Sequence, residues 1–197
     1  MNIFRLFKLL ASEFREWFWA FVEVAPGLVG AHLRRKLFSM SMKSFGDEVF
    51  IDRGVRFVGG ENISVGASSG FMSGCFLAAS AGEIVIGSGV SFNRNVFIGA
   101  DFGLVTIGDN VMIGPNVVLR SANHRFDVKE CGSIRQQGHE YGEIEISQDV
   151  WIGANSTVLA GAKLSSRTVV GAGSVVRGVF PPNVMIAGVP AKIIKHI

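Results

Sequence analysis

His124 stands in the stretch "SANHRFD" (residues 121–127), where a long regular run breaks off and stays broken through residues 125–143. An imidazole at such a break can take a proton from an attacking hydroxyl and hand it to a leaving group, the work of a general base. A lone loop histidine is more often a solvated turn residue, so the residue type alone does not decide. The other histidines have weaker settings: His32 lies beside the basic run "RRK", His139 lies within the break, and His196 lies next to the C-terminus. A three-histidine metal site needs three convergent rings. Only His124 and His139 fall near the break, so no metal is expected. Cys75 and Cys131 form neither a CxxC pair nor a metal spacing, which points to a reduced, intracellular protein.

The elements that must position His124 are of two kinds. Residues 2–24 read as an amphipathic helix. Arg5, Lys8, Ser12, Arg15 or Glu16, and Glu23 recur at three- and four-residue steps, with Trp19 in the remaining slot. Ile3, Phe4, Phe7, Leu10, Phe14, Trp17, Phe18 and Phe21 cover the other side, a wide aromatic face. Pro26 and Gly27 end it, and a second short helix is expected over about 29–39. The apolar face has two readings: packing on the main body or another subunit, or lying in a membrane interface beside the basic cluster at 34–36.

From residue 45 the period changes to six. Aliphatic or aromatic residues fall at Phe45, Ile51, Phe57 and Ile63, then at Val65, Phe71 and Leu77, at Ile86, Phe92 and Ile98, and at Ile107, Ile113 and Leu119. After the break they return at Ile146, Ile152, Val158, Leu164, Val170 and Val176. The fifth hexad residue is small: Ser156, Ala162, Thr168, Ser174. A helix needs apolar steps of 3.6, and hairpins need alternation with turns every eight to twelve residues. A short fixed period instead signals a solenoid. Three six-residue sides make one triangular turn, and turns stack about 4.8 Å apart.

Composition narrows the function. The chain of 197 residues is 48% hydrophobic and carries a net charge of +3. Residues 1–44 hold seven cations against three carboxylates, a net +4, which leaves −1 for the rest. A nearly neutral body argues against a nucleic-acid-binding stripe. No run of eighteen uncharged apolar residues marks a spanning helix. Charges at Glu13, Arg15 and Glu16 interrupt what would be the apolar core of a signal peptide.

Hexads such as "IGDNVM", "IGPNVV" and "IGANST", and the tail "VWIGANSTVLAGAKLSSRTVVGAGSVVRGVFPPNVMIAGVPAKIIKHI", resemble the hexapeptide-repeat acyltransferases in their polysaccharide and saccharide O-acetyltransferase branch. The resemblance covers residues 45–197. It implies a mainly β chain: a left-handed parallel β-helix over 45–197, with an extruded loop at 125–143, behind a short α-helical N-terminal segment at 1–44. The handedness comes from the resemblance alone, since parallel crossovers in general are right-handed.

The resemblance also implies roles. His124 matches the family's catalytic base, with Asn123 before it. The Ala154 amide matches the donor to the tetrahedral oxyanion. Asn93 in "SFNRNVFIGAD" matches an acceptor-binding asparagine better than Asn95 does. Asp101, in a three-residue insertion, is a second acceptor candidate. Asparagine and aspartate also cap coil corners, which offers both a purely structural role. Trp151 matches a wall of the acetyl-CoA groove. Ala154 and Ala172 would let pantetheine approach the backbone, and Lys192 and Lys195 match cations that meet nucleotide phosphates. The chain has "RGV" where the family often has "TKD", so Arg177 is the candidate for the missing charge. Pro181 and Pro182 mark the exit of the coil, after which the tail is expected to cross onto a neighbouring subunit of a homotrimer with active sites between subunits.

The expected function is an acetyl-CoA-dependent O-acetyltransferase acting on a sugar hydroxyl in surface-polysaccharide biosynthesis. It would be cytoplasmic, held peripherally at the inner face of the membrane if residues 1–44 touch lipid. One rival is an N-acetyltransferase of an amino sugar nucleotide. The other is a non-catalytic β-helical scaffold.

Overall fold

The computed structural model describes residues 3–127 and 133–197, so Cys131 lies outside the described residues. Two helices, α1 (Ile3–Val24) and α2 (Gly27–Ser39), precede a β-solenoid of about six turns. The solenoid has three parallel faces. The first runs from Ser44–Phe45 to Val179–Phe180, the second from Phe50–Ile51 to Val184–Gly188, and the third from Arg56–Val58 to Val175–Val176.

The hexad explains the stacking. Each sixth residue meets its counterpart one coil away: Phe71 pairs with Phe92, Ile113 with Ile152, Leu119 with Val158. Every hexad position named above is buried except Phe45 and Phe57, which are half-buried against the same core. The small fifth residues sit buried at corners, where their hydroxyls find carbonyls. Ser156 and Ser174 donate to Gly171 O at 3.1 and 2.6 Å, and Thr168 donates to Ser165 O at 2.7 Å. At the corner between the second and third faces the chain must enter left-handed φ. Asn95, Asn116 and Asn155 supply it at φ 58°, 57° and 58° and link their amides into a ladder at 3.1 and 3.0 Å. Asparagine tolerates that region better than other side chains.

The helices dock by a route that differs from expectation. A row of rings leads from α1 into the core: Trp19 stacks on Phe38 at 5.6 Å, Phe38 meets Phe57 at 5.0 Å, and Phe57 meets Phe71 at 5.3 Å. Trp19, assigned to the polar stripe by spacing, is thus the docking residue. Packing of the aromatic face on the body is overturned, because Phe7, Phe14 and Trp17 are all more than 70% exposed. Arg34 leaves the basic cluster as well. It is buried, donating to the carbonyls of Val22, Ala25 and Ile51 at 3.2, 2.7 and 3.1 Å.

The tail also corrects an expectation. Instead of leaving its own chain, Ala191–His196 folds back antiparallel on Val184–Gly188, pairing Lys192 with Ala187 and Lys195 with Met185.

Inside the coil, Cys75 is fully buried and donates its S–H to Asn93 O at 3.1 Å. Burial pushes its thiol up to about 11. At pH 8 that leaves roughly one thiolate in a thousand, and only the thiolate is nucleophilic. A Cys131→Ser variant should therefore resist iodoacetamide at pH 8 while folded and take up one label in denaturant. Rapid labelling of the folded variant would show that this thiol is accessible.

Candidate active site

The break is a hairpin. Ala122–His124 runs antiparallel to His139–Tyr141, with Ala122 opposite Tyr141, Asn123 opposite Glu140 and His124 opposite His139. The Arg125 N–H closes the next rung on Gly138 O at 3.1 Å. Part of the expected loop is therefore a strand, which the hexad period cannot reveal because it reports only coil-to-coil stacking. Directly opposed residues bring their side chains together. The imidazoles of His124 and His139 lie 4.1 Å apart between centroids. Tyr141 stacks on His139 at 6.0 Å, and Phe102 from the preceding coil meets Tyr141 at 5.0 Å. This row of rings fixes the hairpin against the corner between the third and first faces.

His124 opens into a cleft of about 780 Å³, a size suited to a small ligand. Asn123, Glu140 and Tyr141 share the hairpin wall with it, while Ala160 and Arg177 from later coils form the other wall. Asn123, His124, Glu140, Tyr141 and Arg177 are exposed, so an incoming hydroxyl can reach the ring. Spacing missed Glu140 and Tyr141, since nothing in the hexads marks residues outside the coil. One coil before His124, Asp101 is half-buried and ion-paired with Arg120 at 3.1 Å, so its carboxylate already has a partner.

The remaining candidates gather elsewhere. Asn93, Ala154 and Ala172 occupy the corner between the second and third faces. The side chain of Asn93 is exposed and accepts the Arg94 N–H at 2.8 Å, a corner cap. The N–H groups of Ala154 and Ala172 have no partner among the described residues. They are one coil apart, on a shelf where backbones nearly touch. A Cβ added to Gly153 would come within 2.6 Å of Ala172 N. Trp151 is exposed on the second face, between Met112 and Val169. Lys192 and Lys195 project from the returning strand on that face and are exposed.

A single protomer thus carries two clusters on two edges of a triangular prism. Asn123, His124, Asp101 and Arg177 share one edge. Asn93, Ala154 and Ala172 share another, with Trp151 and the two lysines on the adjoining face. Arg177 lines the His124 cleft.

Several known proteins are similar to this chain. WbbJ of Escherichia coli, named for O-acetyl transfer in lipopolysaccharide biosynthesis, is 57% identical over 56 residues, which are 28% of this chain and 29% of WbbJ. Galactoside O-acetyltransferase of Escherichia coli is 40% identical over 65 residues, 32% of each chain. AntD, an N-acyltransferase from Bacillus cereus solved with dTDP and 3-hydroxybutyryl-CoA, superposes with a TM-score of 0.74 at 22% identity, covering 83% of this chain and 87% of AntD. The chain is similar in sequence to O-acetyltransferases and in fold to hexapeptide-repeat acetyltransferases. No family model matches it, and the match to these two curated relatives spans about a third of their length. Among these similar proteins both O- and N-acyl transfer are named.

Proposed function

We propose that the chain is an acetyl-CoA-dependent O-acetyltransferase whose acceptor is a sugar hydroxyl of a surface-polysaccharide precursor. The observation that carries this reading is His124, exposed at a ligand-sized cleft whose other polar groups, Asn123, Glu140 and Arg177, suit a hydroxyl-rich acceptor. The thioester is already activated, so the weak partner is the hydroxyl. His124 removes its proton as the oxygen attacks the thioester carbonyl. The oxyanion that forms needs a fixed donor, and the unpartnered Ala154 N–H supplies one. The carbon–sulfur bond then breaks, and the imidazolium returns the proton to the departing CoA thiolate. No covalent enzyme intermediate is required.

The donor reading draws support from the free Ala154 and Ala172 amides, which match the hydrogen-bonding needs of pantetheine, and from Lys192 and Lys195, which suit nucleotide phosphates. AntD, on the same fold, was solved with an acyl-CoA. The two clusters lie on different edges, and a homotrimer that sets one protomer's His124 edge against its neighbour's Ala154 edge completes the site. A cytoplasmic location suits a CoA donor. A hydroxyl acceptor draws support from the two curated relatives above, both named for O-acetyl transfer.

Saturating acetyl-CoA should raise the melting temperature. A ligand at 100 times its Kd adds about 2.7 kcal/mol to the folded state. Thiol release should then follow addition of sugar acceptors. Release only with amino sugar nucleotides would make the enzyme an N-acetyltransferase, and no thermal response would favour the scaffold. The double variant Lys192→Glu, Lys195→Glu should weaken acetyl-CoA binding by about tenfold, or 1.4 kcal/mol.

A further inference from the structure

We infer that α1 lies in the interface of an anionic lipid bilayer, with its aromatic face immersed and its axis parallel to the surface. The inference is independent of the acyl-transfer reading. Its first support is orientation. Only the C-terminal end of α1 is docked, through Trp19, Val22 and Glu23, whose carboxylate holds Arg56 at 3.2 Å. The arc carrying Phe7, Leu10, Phe14, Trp17 and Phe21 points away from that docked side, and all five are 58–74% exposed. At 1.5 Å per residue the 22 residues of α1 form a rod about 33 Å long, apolar along one side. A contiguous apolar surface of this kind marks an interaction site.

Charge selects the occupant. With the buried Arg34 set aside, residues 1–44 carry a net +3, so two copies meeting through these segments would repel, whereas an anionic leaflet attracts them. Lys8, on the polar stripe, holds its ammonium 5.2 Å from the Phe4 ring centroid, so its stem covers apolar surface while its charge stays in water. Past the turn, Leu28 and Val29 at the start of α2 are 87% and 83% exposed beside His32 and Lys36. Among the described residues no helix is long and apolar enough to cross a membrane. Together these features describe a helix that lies on a bilayer.

The test is flotation of the full chain with vesicles of phosphatidylglycerol and phosphatidylethanolamine, against vesicles of phosphatidylcholine alone. Binding to the anionic vesicles should be at least about tenfold stronger, and salt near 0.5 M should weaken it through screening. The double variant Phe14→Glu, Trp17→Glu should lose at least about tenfold in binding while keeping its melting temperature, since both side chains are exposed. Vesicles should shift the parent's tryptophan emission to the blue, and Trp17→Phe should remove most of that shift. The inference is overturned if neither vesicle floats the protein. It is equally overturned if the double variant floats like the parent, or if that variant shows a smaller sedimentation coefficient without loss of flotation, which would assign the arc to a second copy of the chain.

Discussion

His124→Ala is expected to lower kcat for acetyl transfer by about 10²–10⁴-fold, the usual contribution of a positioned base. The melting temperature and its rise with acetyl-CoA should stay near those of the parent. The structure explains why these readouts separate. The His124 side chain is exposed, and the hairpin is held by backbone pairing and by the Phe102–Tyr141 contact at 5.0 Å. The proposed CoA groups, Ala154, Ala172 and the two lysines, sit on a different edge. A loss confined to kcat is the sign of an interaction made only in the transition state. Initial rates of thiol release from acetyl-CoA, with a sugar acceptor that supports the parent, measure it. A variant retaining a third or more of the parental kcat would move the base elsewhere, and His139, whose ring lies 4.1 Å away, would be the first place to look.

Much of this arrangement can be read from spacing, and the parts that cannot have identifiable reasons. The solenoid is legible because one period governs both stacking and burial. Ile113, Ile152 and Val170 are six-step residues in sequence and vertical neighbours in space. The separation of the two clusters is legible too, by counting. His124 follows a third-face strand, whereas Ala154 and Ala172 follow second-face strands, so hexad register alone puts them on different edges. The antiparallel return of His139–Tyr141 is invisible to that count. The docking of the helices defeats the reading for a different reason. Amphipathic patterning assumes that the apolar arc faces the core. Here Trp19 at the edge of the polar stripe makes the contact and the arc faces outward. A charged residue in "RRK" is read as surface by default, yet Arg34 is 2% exposed.

Arg34→Met is expected to cost about 3 kcal/mol, because the guanidinium fastens three separate segments. Its Nη1 reaches Val22 O at the end of α1 and Ala25 O in the turn, and its Nε reaches Ile51 O on the second face. Burial disfavours the charge and holds its pKa below the usual arginine value, with Asp52 opposing that shift. The charge is tolerated because three carbonyls solvate it. Methionine fills similar space but leaves those carbonyls without a donor, and a buried acceptor left unpaired incurs its full desolvation cost. Lysine should rescue poorly, since a point charge cannot span three carbonyls set by a planar fork. Gly30 fits the same design. A Cβ there would collide with Ala25 O, the acceptor of the shortest of the three bonds. In a solenoid each coil answers mainly to its neighbours, so the damage should stay at the helical end. Hydrogen exchange should show α1 and α2 losing protection while the coils around Ile113 and Ile152 keep theirs, and the first melting transition should fall by roughly 6–12 °C. Unchanged protection in α1 would mean that the aromatic row from Trp19 to Phe71 carries the docking without Arg34.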